Sequence, residues 1–330
     1  MTPTPGTATA RAYPNIALVK YWGKRDEELI LPVAGSLSLT LDALPTTTTV
    51  RLAPDAEADA FALNDAPQTG EAAARVSRFL DRVRGLAGSR ARAVVDSRNE
   101  APTGAGLASS ASGFAALATA AARAYGLELA PRELSRLARR GSGSAARSIV
   151  PGVAVWHAGE DDAGSFAEPV PAPELRMVIA TVDTAQKAVS SRAAMRRTAL
   201  TSPFFPAWIT STEESLAAML EACAAGDFTR IGRITEAHAM RMHAVIQSCD
   251  PPIRYLAPAS VALFDRIAAL RGEGLEAYGT ADAGPNVCAI VRPEQAEELA
   301  DELRGLGGRL GLGAEAVRVV GPGPGAETLA

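Results

Sequence analysis

Residues 36–41, Ser-Leu-Ser-Leu-Thr-Leu, alternate polar and apolar without a break. That is the period of a half-buried strand. The Thr- and Val-rich stretch 46–52 predicts a second strand, paired with the first through a turn at 42–45. Residues 16–20 and 91–96 read as further short strands. The period then lengthens. Across 71–86, Val76, Phe79, Leu80 and Val83 fall at helical spacing. Residues 109–125 read as a helix, and Pro131 opens another that Gly141 closes. Strands follow at 152–157 and 177–182, separated by a proline-bearing surface connection over 159–175. Beyond that, 215–225, 228–246, 259–270 and 294–306 each carry an apolar stripe. Short strands at 277–280, 287–291 and 317–320 interleave with these helices. Residues 1–10 and the Gly- and Pro-rich end read as flexible tails. The order predicts an α+β fold with a boundary near residue 185, giving domains at 1–184 and 185–330.

Composition narrows the class. The chain has 330 residues, 47% hydrophobic and 21% charged, which excludes a wholly disordered chain. A formal charge of −4 argues against a general nucleic-acid surface. Residues 101–122 carry no charge and could span a bilayer on length alone. Small residues dominate that stretch, and Pro102, Gly104 and Gly106 break it, so a buried loop and helix is expected, with no membrane association. Cys223, Cys249 and Cys288 are scattered and odd in number, which is no disulfide framework. With an N-terminus lacking an apolar core, they point to a reducing cytoplasm.

One asymmetry carries chemistry. Of 33 basic residues only Lys20, Lys24 and Lys187 are lysines, which leaves thirty arginines. A bias toward Arg explains the ratio. A lysine kept against it marks a position where a compact point charge does what a planar fork does not. Asparagine is nearly as scarce, at Asn15, Asn64, Asn99 and Asn286.

The stretch 102–113, Pro-Thr-Gly-Ala-Gly-Leu-Ala-Ser-Ser-Ala-Ser-Gly, joins a predicted strand to a predicted helix. Its glycines admit close backbone approach, and amides at a helix start favour an anion. It reads equally as a tight turn into a packing helix. It is not a Walker A loop, since no Gly-x-x-x-x-Gly-Lys-Ser/Thr is present. Gly141-Ser-Gly-Ser-Ala-Ala follows a helix, so a dinucleotide fingerprint fails on context, but Arg147 among Ser142, Ser144 and Ser148 suits an oxyanion. His238 and His243, five apart, lie on different helix faces, against a zinc helix. Asp282, in Thr-Ala-Asp-Ala-Gly-Pro-Asn286, is either a turn-forming aspartate or a catalytic carboxylate.

Five segments together resemble one family. NIALVKYWGKRDEELILP, PTGAGLASSASGFAAL, GSGSAARSI, KAVSSRAAMRRT and DAGPN occur in this order in diphosphomevalonate decarboxylases of the GHMP kinase superfamily. The resemblance covers residues 12–291. It implies an S5-like N-terminal domain and a ferredoxin-like C-terminal domain with the site between them. It implies ATP and Mg²⁺ as co-substrate and ion, and mevalonate 5-diphosphate as substrate. The C3 hydroxyl would be phosphorylated, then phosphate and CO2 lost, giving isopentenyl diphosphate and ADP. By similarity, Asp282 would be the base or orienting carboxylate, with Lys20 favouring its charged form. Arg147 would hold the substrate carboxylate and new phosphate. Tyr21, Lys24, Ser144, Lys187, Ser191 and Arg192 would bind the substrate. Gly104, Ala105, Gly106, Leu107, Ala108, Ser109 and Ser110 would bind ATP, with Ser109 or Ser110 near the metal. A homodimer is implied as well. Two departures stand out: Ala34-Gly35-Ser36 replaces the family's Asn-Ser-Ser, and Pro151 interrupts a usually Gly-rich turn. Related readings on the same scaffold are a mevalonate 5-phosphate decarboxylase and a mevalonate 3-kinase. A non-catalytic phosphometabolite binder would not need the Asp–Lys–Arg set.

Overall fold

A computed structural model describes residues 6–100, 109–185 and 187–329. The chain opens with strands β1 (Thr7–Ala12), β2 (Asn15–Val19), β3 (Lys24–Asp26), β4 (Leu31–Pro32), β5 (Ser36–Thr40) and β6 (Thr46–Ala53). After β7 (Ala60–Leu63) and β8 (Ala66–Pro67) come helix α1 (Gly70–Ala87) and strand β9 (Arg92–Asn99). Helices α2 (Ser109–Ala124), α3 (Pro131–Gly141) and the single turn α4 (Ala145–Ser148) precede β10 (Val153–Trp156), β11 (Ala167–Pro169) and β12 (Arg176–Ala180). The helical stretch is α5 (Ser191–Thr201), α6 (Phe205–Ala225), α7 (Phe228–Gln247) and α8 (Pro258–Gly272). Strands β13 (Ala277–Thr280) and β14 (Val287–Val291), helix α9 (Ala296–Arg309), and strands β15 (Val317–Val320) and β16 (Glu327–Leu329) complete it.

The larger sheet runs β16-β1-β6-β9-β7-β8. Ala8, Ala10, Ala12, Val50, Ala93 and Val95 bury one face of it under α1 and α2. Helix α2 is enclosed by that sheet and by α3, and is buried nearly all round. A helix apolar on every side is a core helix, and alanines let its neighbours approach closely. Among the described residues no helix is long and apolar enough to cross a membrane.

A second sheet, β11-β10-β5-β2, and a third, β13-β14-β12-β15, share a core. Ile16, Leu37 and Leu39 from the second meet Met177, Ile179 and Ile290 from the third, with α6 and α7 alongside. The opposite face of the third sheet is covered by α8 and α9 through Leu263, Ile267, Leu299 and Leu303.

Several expectations are corrected. The strand at 46–52 does not pair with 36–41: β6 lies between β1 and β9, while β5 lies between β2 and β10. The strand β5 is not half-buried, because both of its faces are covered. Neither end of the described chain is loose. Thr7–Ala12 is an inner strand, and β16 pairs with it. The glycine- and proline-rich end reaches that strand by running against Leu41, where a Cβ on Gly323 would come within 1.8 Å of the Leu41 carbonyl oxygen. Only glycine permits that approach. The chain passes from the second sheet to the third before Arg176, where β12 pairs with β14 and β15.

Candidate active site

A cavity of about 530 Å³ opens where the sheets and α5 meet. Residues drawn from all five segments singled out in the sequence line it. Six cations (Lys20, Lys24, Arg75, Arg147, Lys187 and Arg192) face two carboxylates, Glu71 and Asp282. The net negative charge of the chain therefore conceals a strongly positive cleft.

Lys20 leaves the end of β2 and is 1% exposed. Its ammonium donates to Asp282 Oδ1 at 2.6 Å and to the Ala17 carbonyl at 2.7 Å. Asp282 sits in the β13–β14 turn, so this ion pair joins the second sheet to the third. The turn is held at its base. Asn286 Oδ1 accepts from the backbone of Val182 at 2.7 Å and of Asp183 at 3.1 Å. Ser260 donates to the Pro285 carbonyl at 2.5 Å. Asp282 is thus a turn residue and a cleft-lining carboxylate together.

Arg147 projects from α4 and is 2% exposed. Its Nε donates to Ser38 Oγ at 2.9 Å and Asn15 Oδ1 at 3.2 Å, and its Nη1 to Ser36 Oγ at 2.6 Å. The polar positions of the alternating strand β5 therefore seat a buried guanidinium. Burial lowers the pKa of Arg147 to about 10, against the charge of Asp282. A desolvated cation of this kind gains most from an anionic ligand.

Tyr21 packs edge-on against Trp156, with ring centroids 4.7 Å apart. Its buried hydroxyl has no partner among the described residues, and burial raises its pKa, so it remains a donor. Gly143 makes room for this pair, since a Cβ there would lie 2.8 Å from the Tyr21 ring. Lys187 donates to Ser191 Oγ at 2.9 Å and to the Ala283 carbonyl at 2.8 Å. Burial lowers its pKa, and Asp282 opposes the shift. Lys24 pairs with Glu27 at the cavity edge. Ser110, Ser142 and Ser144 form a file of hydroxyls, 3.4 Å and 3.5 Å apart. Ser109 lines the same wall. Gly104, Ala105, Gly106, Leu107 and Ala108 lie outside the described residues.

Sequence reasoning missed Arg75 and Glu71, which approach from α1. Arg75 donates to the Gly141 carbonyl at 2.7 Å and lies over the Phe114 ring at 4.3 Å. Burial, aided by the nearby charge of Arg192, lowers its pKa to about 10. Nothing in the amphipathic pattern of α1 marked it, because only packing turns it toward the cleft. Asn15, Ser36 and Ser38 were visible as scarce or periodic residues but not as the seat of Arg147. At the departure from the family pattern, a Cβ on Gly35 would meet Leu216 Cδ2 at 2.6 Å and the Trp156 carbonyl oxygen at 3.0 Å, so a side chain there requires Leu216 to move.

Among the described residues no cluster of His, Cys, Asp and Glu could hold a metal by itself. The histidines at 238 and 243 face separate partners, the Lys20 backbone and the Ala281 carbonyl.

Residues 12–167 match the model of the diphosphomevalonate decarboxylase-like N-terminal domain. Residues 177–307 match that of the mevalonate 5-diphosphate decarboxylase C-terminal domain. The human diphosphomevalonate decarboxylase is 39% identical over 317 residues, covering 88% of this chain and 78% of its own. A solved structure of MDDEF in complex with MVAPP, AMPPCP and magnesium is 44% identical, with a TM-score of 0.92 and 98% of each chain covered. Mevalonate diphosphate decarboxylase from Staphylococcus aureus superposes with a TM-score of 0.92 at 37% identity, again over 98% of each chain. Both halves of the chain, the two-domain GHMP kinase fold and the cationic cleft agree: the chain belongs to the diphosphomevalonate decarboxylase family.

Proposed function

We propose that this cleft decarboxylates mevalonate 5-diphosphate at the expense of ATP, yielding isopentenyl diphosphate, ADP, phosphate and CO2. The observation that carries the reading is the Lys20–Asp282 ion pair set beside buried Arg147 in a cleft of six cations. Asp282 accepts the proton of the C3 hydroxyl as that oxygen attacks the terminal phosphorus of ATP and ADP leaves. Lys20 balances the carboxylate and keeps it aimed. The C3–O bond to the new phosphate then breaks. The C1–C2 bond breaks with it, its electron pair forms the C2–C3 double bond, and CO2 departs. Arg147 holds the substrate carboxylate and the phosphate with paired N–H donors. Tyr21, Lys24, Ser144, Ser191 and Arg192 grip the 5-diphosphate, with Lys187 beside Ser191.

The family implies ATP with Mg²⁺, and the donor set fits. Mg²⁺ keeps several waters and is held by phosphates plus one or two protein oxygens, so no carboxylate cluster is required. Ser109 and Ser110, hydroxyls on the cavity wall, would hold it, with residues 104–108 cradling the phosphates. When bound, the ion neutralises charge on the transferring phosphate. Three free, buried cysteines support a reducing, cytoplasmic setting. The family resemblance supports a homodimer.

The test is a substrate panel with ATP and Mg²⁺. Mevalonate 5-diphosphate releases CO2 and ADP one for one. ADP without CO2 would make the protein a 3-kinase, and preference for the monophosphate would select the other relative. Asp282→Asn keeps substrate binding and loses about a thousandfold in turnover; normal turnover would remove Asp282 from its role.

A further inference from the structure

Two histidines beneath the Lys20–Asp282 pair take no part in the steps above. His238 and His243 both belong to α7 and are 0% and 2% exposed. Five residues put them about 140° apart around the helix, so each addresses a different neighbour. His238 Nδ1 accepts the backbone N–H of Lys20 at 3.0 Å. That nitrogen carries no proton, so Nε2 does, and it donates to Thr212 Oγ1 at 3.2 Å. Thr212 in turn donates to the Trp208 carbonyl at 2.7 Å, and Trp208 packs on the imidazole at 4.7 Å. His243 Nε2 donates to the Ala281 carbonyl at 3.3 Å, next to Asp282. Both rings therefore carry the Nε2–H tautomer. Burial lowers the pKa of His238 to about 3, with the charges of Arg241 and Lys20 adding to the shift. Burial and Lys20 lower that of His243 to about 4, opposed by its bond to Ala281 and by Asp282. The rings act as fixed neutral dipoles.

Lys20 directly follows β2 in one half of the molecule, and Asp282 lies in the β13–β14 turn of the other. Helix α7 packs against both β2 and β13. We infer that α7 gauges the gap between the halves, His238 fixing the Lys20 backbone and His243 the Ala281 carbonyl. Together they set the separation between ammonium and carboxylate. Both are positioning residues, and neither touches substrate. The inference rests on the reading of Lys20 and Asp282 as the catalytic pair.

Amide isosteres separate the two anchors. Asparagine places a polar atom near Nδ1 of the histidine it replaces, and glutamine near Nε2. His238→Asn keeps an acceptor for Lys20, and His238→Gln does not. At 243 the order reverses, since Gln keeps a donor for Ala281 and Asn does not. A misplaced reacting group costs turnover more than grip. We expect kcat to fall about tenfold or more in His238→Gln and His243→Asn, with KM for mevalonate 5-diphosphate within about twofold. The matched isosteres, His238→Asn and His243→Gln, retain most of kcat. Equal kcat for both isosteres at a position, or a loss confined to KM, overturns the inference.

Nitrogen-15 spectra of the intact enzyme need no variant, and the chain has only three histidines. Both buried rings give Nε2–H patterns that do not titrate from about pH 5 to 9. A proton on Nδ1, or titration in that range at either ring, overturns it independently. Asp282→Asn distinguishes the two failures. An inactive variant alongside a flat isostere pattern sinks the positioning claim alone, whereas an active one sinks the catalytic reading beneath it.

Discussion

Lys20 donates from a side chain 1% exposed to two oxygens at 2.6 and 2.7 Å, one a carboxylate and one a main-chain carbonyl. A guanidinium has the same charge but a planar fork, and two converging acceptors this close suit a point charge. Lys20→Arg is therefore expected to lower kcat by about a hundredfold, near 2.7 kcal/mol in the barrier. KM for the diphosphate changes little, because the grip proposed for that group rests on other side chains, Lys24 and Arg192 among them. Steady-state kinetics check this, and a variant that turns over normally would make the scarcity of lysine a coincidence. Scarcity made these residues legible: all three lysines line the cleft. Arg75 was illegible for the opposite reason, being one arginine among thirty. Its place in the cleft depends on α1 packing against Phe114, a contact between residues far apart in the chain.

At the scale of elements, local pattern predicted type well and partnership poorly. The alternation of Ser36–Thr40 correctly predicted a strand, but its polar side faces Arg147 instead of water. Periodicity reports which residues differ between two faces, not what covers each face. The first half of α6 was hidden by its Ser- and Thr-rich composition. There Thr212 and Ser215 bond back to the carbonyls four residues earlier, at 2.7 Å each, and so satisfy their polarity inside a helix. Helix α5 buries only Ala194 and Thr198, so no apolar stripe announces it in the sequence. Long-range contact also holds the β3–β4 hairpin, which carries Lys24. Arg139, 0% exposed, donates to the Leu29 carbonyl at 3.1 Å and pairs with Asp162, which also binds Arg136. Burial would raise the pKa of Asp162, yet these arginines hold it below its usual range. Arg139→Met removes the tie between the hairpin and the 158–165 turn while keeping much of the volume. KM for the diphosphate rises about tenfold with kcat nearly unchanged. A change in kcat alone would show that the tie does not serve Lys24.

Across the whole molecule, the shared core of the second and third sheets makes the two halves one mechanical unit, and α7 lies within it. The buried histidines of α7 therefore link the stability of the entire fold to pH. In the unfolded chain each histidine protonates near its ordinary value of 6.5; in the folded chain the values are about 3 and about 4. Between these limits the unfolded state binds more protons, so stability is full above pH 6.5 and is lost as pH falls. Within the window between roughly pH 6 and 4 the slope reaches about 1.4 kcal/mol per pH unit for each histidine, or about 2.7 for both, near pH 5. Asp59 and Asp162 are also held low, by arginine bonds that outweigh burial, but as carboxylates they contribute to the loss only at the acid end of that window and below it. Denaturant titrations at closely spaced pH values, run on the intact protein and on His238→Asn, separate the sources. The variant keeps the hydrogen bond to Lys20 but has no titrating ring at 238, so its slope between pH 6 and 5 should be about half that of the parent. Identical slopes would mean that His238 is not desolvated in the folded state.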